Sequence, residues 1–130
     1  MKYLLVILCL FFTCQTTLFA GPLDGSWINR NEKTPSIFKV EIQGNQFSWW
    51  AAGSDEINGP YELTLLGSSV SDKTPDEYAM VVTQVGFGTM TFVIRWLENQ
   101  IVIETLTVFK SDDKFKRSNY FSTDVLNLQK

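Results

Sequence analysis

Histidine is absent from this 130-residue chain, and both cysteines, Cys9 and Cys14, fall within the first twenty residues. From Gly21 to Lys130 there is neither imidazole nor thiol. That excludes disulfides, the usual zinc ligands and every nucleophile activated by histidine. Positive charge is also short. Lys and Arg number 11 against 14 Asp and Glu, a net of −3, the wrong sign for nucleic acid or an anionic membrane as partner. An enzyme would have to work with carboxylates, Lys, Tyr or Ser alone, and strand parity brings no pair of carboxylates inward. The chain therefore reads as a non-enzyme with no catalytic residue, no metal and no cofactor.

What is present begins with a leader. Lys2, the apolar run Leu4 to Phe12 and the weakly polar Thr13 to Ala20 have the layout of a signal peptide over 1–20. The apolar run is well short of the roughly 20 residues that a membrane-spanning helix needs. Cleavage after Ala20 predicts a secreted or periplasmic protein of residues 21–130. A lipoprotein anchored at Cys14 is the minor alternative, since Phe12-Thr13 precedes it instead of small residues. Loss of Lys2 takes the net charge to about −4, and the remaining length suits one domain.

Beyond the leader no helix-period pattern occurs. Short β-branched and aromatic runs alternate with turn residues roughly every 8–12 positions, which predicts an all-β sandwich or barrel. Eight strands are expected, at 25–30, 36–42, 46–52, 61–66, 78–84, 88–96, 101–109 and 119–126. Their short connections favour an eight-stranded antiparallel up-and-down barrel, because closure removes exposed edges. A turn at Gly44-Asn45 sets Ile42 against Phe47, Val40 against Trp49 and Phe38 against Ala51 on the inner face. Trp50 then points outward, with the Lys39 stem on its ring. A turn at Glu98-Asn99 sets Trp96 against Ile101, Ile94 against Ile103, Phe92 against Thr105 and Met90 against Thr107, again inward. On the outer side Arg95 and Glu104 become diagonal neighbours.

Gly25-Ser26-Trp27-Ile28-Asn29 resembles the Gly-x-Trp-x-Asn opening of the avidin family, within the calycin-type barrels that include the lipocalins. Length, strand count and meander order agree over residues 21–130. Glu104-Thr105-x-Thr107-x-Phe109 followed by Arg117-Ser118-Asn119-Tyr120 is similar to a group of exported bacterial proteins to which no activity is attached. The avidin-like resemblance implies that Asn29 lies inside the barrel and hydrogen-bonds a ligand carbonyl. Lys33 stands where those proteins place a serine, and Phe47-Ser48-Trp49 where they carry a Tyr-x-Ser/Thr pair. The lipocalin resemblance implies an arginine stacked over Trp27, for which Arg117 is the candidate.

Two functions follow. In the first, the barrel binds a small apolar or amphipathic ligand, with Trp27 closing the bottom, Trp49, Phe92 and Trp96 as walls and Asn29 orienting a polar group. Core packing explains the same aromatic residues equally well, and for Asn29 satisfaction by backbone or water comes ahead of contact with a ligand. In the second, a solid barrel acts through its outside, as a homo-oligomer or a protein-binding or inhibitory module. Trp50, Val93, Val102, Leu106 and Val108 would form that surface, centred on strands 88–96 and 101–109. Asp55-Glu56 and Asp112-Asp113 read as solvated turns, because neither has the alternating oxygen pattern of a calcium loop.

Overall fold

The computed structural model describes residues 21–31, 33, 36–67 and 78–130. The expected signal peptide, Cys9 and Cys14 lie outside the described residues, as does most of the 67–76 connection. The described chain contains nine strands: β1 (Gly25–Asn29), β2 (Ile37–Gln43), β3 (Gln46–Ala51), β4 (Asn58–Glu62), β5 (Thr64–Leu66), β6 (Tyr78–Val85), β7 (Gly88–Leu97), β8 (Gln100–Phe109) and β9 (Tyr120–Leu128). They form one sheet in the order β4-β3-β2-β1-β9-β8-β7-β6-β5.

Every pairing is antiparallel, including β1 with β9. Following the alternation round the sheet gives β4 and β5 the same direction. These two strands stand at the ends of the ladder order and are separated only by Leu63. The result is a nearly closed barrel. The strand expected at 61–66 is in fact two, and the count is nine, not eight. Leu63 is buried, and its N–H donates to the Asn45 carbonyl at 2.8 Å. The chain therefore bends at one residue and changes hydrogen-bonding partner from β3 to β6.

The β7–β8 hairpin has the register that its alternation predicts, including Phe92 with Thr105 and Arg95 with Val102. In β2–β3, Ile42 faces Phe47 and Val40 faces Trp49 as expected, and Gly44 takes φ 60° in the turn. A bulge between Ile37 and Lys39 then pairs Ile37, not Phe38, with Ala51. The inserted residue reverses parity. Ile37 is 1 % exposed and Phe38 45 %, so the inward placement of Phe38 is corrected. At the far end of the barrel Gly88 lies directly against the Val108 carbonyl, where any Cβ would collide.

The core is continuous. Phe47 and Phe92 have ring centroids 5.2 Å apart and Trp49 and Phe92 5.6 Å, so the rings meet across the interior. Trp27, Ile42, Ile94, Ile101, Ile103 and Leu126 are buried around them. The middle of the barrel is packed with side chains.

Candidate functional site

The inner wall changes character along β8 and β9. Reading across the ladders, one inward row is Trp96–Ile101–Leu126–Asn29 and the next is Ala79–Ile94–Ile103–Asp124. Then come Val81–Phe92–Thr105–Ser122 and Thr83–Met90–Thr107–Tyr120. Hydroxyl and carboxyl groups thus accumulate towards the end that carries the 86–87 and 110–119 connections. Thr105, Thr107 and Asp124 are buried and Ser122 half-buried.

β9 carries this change by running against its own hydrophobic pattern. Phe121 and Val125 point outward, 60 % and 44 % exposed, while Ser122 and Asp124 point inward. Its parity is set at the other end of the strand, where Leu126 is buried and Leu128 packs against the core beside Trp27.

Asp124 is the centre of the polar group. Its Oδ1 accepts from Asn29 Nδ2 at 3.0 Å and from the Ser36 backbone N–H at 3.1 Å. Its Oδ2 is buried with no partner, as are Thr105 Oγ1, Thr107 Oγ1, Ser122 Oγ and Trp49 Nε1. Burial pushes the Asp124 carboxyl above the usual carboxylate range, and hydrogen bonds from Ser36, Ile37 and Asn29 pull it part of the way back. The Trp49 ring meets Phe92, whose register partner is Thr105 and, beyond it, Ser122. Acceptor, hydroxyls and indole N–H therefore face the same interior, spread from the Asp124 row to the Thr107 row.

Asn29 is inside, as parity and the avidin-like resemblance imply, but its amide is already committed. Nδ2 also donates to the Ile37 carbonyl at 3.0 Å, and Oδ1 accepts from the Asn31 N–H at 2.9 Å. It holds Asp124 and the β1–β2 connection in place. Trp27 is buried, with its indole N–H donating to the Leu23 carbonyl at 2.9 Å. Trp96 is only partly buried and lies beside the β7–β8 turn, three inward rows from Thr107.

Arg117 is not over Trp27. Its guanidinium lies 4.2 Å from the Phe109 ring centroid and 5.0 Å from that of Phe87, at the barrel end away from the β7–β8 turn beside which Trp27 sits. Asp113 grips it through Nε at 3.1 Å and Nη2 at 2.8 Å. The guanidinium hydrogen bonds hold the Asp113 carboxyl down at about 2. The pair pins the β8–β9 connection across the barrel end and accounts for one of the two loop carboxylate pairs.

Of the outer residues, Val93, Val102, Leu106 and Val108 share the face of β7 and β8, as expected. Trp50 does not join them. It lies on β3 with Lys39 Nζ 4.7 Å from its ring centroid, and β2, β1 and β9 intervene before β8. The face continues instead onto β6 and β9, where Val82, Phe121 and Val125 are exposed.

Sequence reasoning placed Thr105 and Thr107 inward without assigning them a role, and it missed Ser122 and Asp124. The available signal was the pairing of β8 with β9, which continues the inward parity of Thr105 onto Ser122. No protein-family model, curated protein or solved structure matches the chain.

Proposed function

We propose that this protein is an exported carrier or receptor that binds a small amphipathic molecule inside its barrel, at the polar end of the inner wall. The supporting observation is the inversion of β9, which turns Ser122 and Asp124 into the core and Phe121 and Val125 out of it. A buried polar atom without a partner costs about 1–3 kcal/mol, and five line this interior over three successive inward rows. A barrel serving only as a core would be more stable with Val, Ala and Leu at those positions.

The chemistry of the five atoms defines what complements them. Asp124 Oδ1 already accepts two N–H donors, so Oδ2 is the oxygen left to face a ligand. Three hydroxyls and the Trp49 N–H offer donors. The matching ligand end carries an N–H or O–H facing Asp124 and a carbonyl-type oxygen facing the hydroxyls. The interior at Trp49 and Phe92 is packed, so the apolar part of a ligand enters only where these two rings separate. Asn29 acts by positioning Asp124.

Hexanamide and N,N-dimethylhexanamide separate this reading from simple apolar binding, since only the first carries N–H donors. In a thermal-shift titration with millimolar amide, the primary amide raises the melting temperature and quenches or shifts tryptophan emission. The dimethyl analogue does much less. Equal responses, or none from either, would contradict the assigned chemistry.

A further inference from the structure

The barrel's outside is divided by polarity. On the β2–β4 side the outward positions include Lys39, Glu41 and Glu62, with Lys39 Nζ 2.6 Å from Glu41 Oε1. Across β6–β9 the only outward charges are Arg95 and Glu104. One outward row there is Val82–Thr91–Leu106–Phe121 and the next Met80–Val93–Glu104–Thr123. The third is Tyr78–Arg95–Val102–Val125. Val82 and Leu106 are 55 % and 45 % exposed.

At about 4.8 Å between strands and about 6.8 Å between alternate residues, four strands by three rows present roughly 400 Å² before side-chain relief is counted. That lies within the size range of the largest apolar patch on a typical monomer, and is about half of the roughly 800 Å² of accessible surface that each partner buries in a standard interface.

The two charges identify the occupant. Arg95 and Glu104 are diagonal neighbours on adjacent strands, as are Val93 and Val102, at the rim of a groove of about 210 Å³. They do not form an ion pair with each other. A two-fold axis lying in the contact plane along the Val93–Val102 diagonal sets each valine on its own copy. The same axis brings Arg95 against Glu104 of the partner subunit, and Glu104 against the partner's Arg95. With the strand and residue spacings above, the two sheets then cross at roughly 70°, towards the orthogonal class of sheet packing. We infer that the outer face of β6–β9 is the isologous interface of a homodimer, its register set by two reciprocal Arg95–Glu104 pairs across the axis.

A partner of any other sequence would need to reproduce this pattern of apolar rows around one cation and one anion. A second copy supplies it by symmetry. The face is independent of the polar interior, because the outward and inward residues of β8 and β9 alternate.

Sedimentation velocity from about 1 to 100 μM tests the interface. The wild-type protein sediments as a dimer. Arg95→Glu alone and Glu104→Arg alone each place like charges together twice and weaken dimerisation by at least about 100-fold. The double variant Arg95→Glu/Glu104→Arg restores the dimer. Val102→Lys, at the axis, gives monomers with unchanged far-ultraviolet circular dichroism. A wild-type protein that stays monomeric at about 100 μM overturns the inference. So do single charge reversals that leave the dimer intact, or a folded double variant that fails to recover it.

Discussion

Replacing Thr105 by Val tests whether the polar inner wall serves something other than the fold. Thr105 is 2 % exposed, stands between Phe92 and Ser122 in the ladder, and has a hydroxyl with no partner. Valine keeps the branched shape and the strand preference while replacing the hydroxyl by a methyl. Removing an unsatisfied buried hydroxyl recovers about 1–3 kcal/mol. Allowing that part of it is already relieved by local adjustment, the net stabilisation is about 1–2 kcal/mol. For a domain of this size that raises the melting temperature by about 4–10 °C. Calorimetry on wild type and variant measures it. The same Thr105→Val change should abolish the hexanamide response. A variant that melts lower than wild type by 1 kcal/mol or more would show that the hydroxyl is satisfied within the fold, and the argument from unpartnered atoms would fail.

Stability against pH isolates Asp124. Its carboxyl titrates above the ordinary range, so as pH rises the unfolded chain loses this proton first while the native state still holds it. Stability therefore declines from the ordinary carboxylate pKa, near 4, until the raised value is passed, and is level above it. Asp124→Asn keeps an acceptor for Asn29 and Ser36, removes this decline and raises the urea midpoint at pH 7 relative to wild type; a decline of the same size in both proteins would mean that another group is responsible. Asn29→Ala strips Asp124 and the Ile37 carbonyl of a donor and should cost about 2–4 kcal/mol in urea unfolding, whereas a neutral result would remove Asn29 from its positioning role. For the β2 bulge, Ile37→Ala should lose about 2–4 kcal/mol and Phe38→Ala less than about 0.5, and the reverse order would place Phe38 in the core.

What was legible in the sequence was local. Both hairpin turns announce themselves, and once a turn is placed, alternation carries the register from Trp96–Ile101 to Met90–Thr107 without further information. The bulge at Phe38 was not legible, because Ile-Phe is apolar at both positions and either residue fits the core by composition. Nor was the bend at Leu63, which depends on two separate neighbours, β3 and β6, taking up the two halves of one run. The placement of Arg117 was inferred from resemblance, and the turns at Lys110–Asp113 and Asp113–Lys116 carry it to the opposite end of the barrel.

The candidate site was hidden for a more specific reason. By hydrophobicity, Phe121 and Val125 belong inside and Ser122 and Asp124 outside. Only the long-range pairing with β8 and the leucines at the end of β9 reverse that assignment. A strand read by its own pattern gives the wrong face when its parity is set by its neighbour and by the residues at its end.

We propose above that the polar inner wall holds a small amphipathic molecule. Native mass spectrometry on the protein isolated from its own source, beside Asp124→Asn made in the same host, tests it most directly. The expected result is a discrete non-covalent small-molecule mass on the wild-type protein, lost or much reduced in the variant. Wild-type protein that carries no such mass, or a mass retained equally by both proteins, would contradict it.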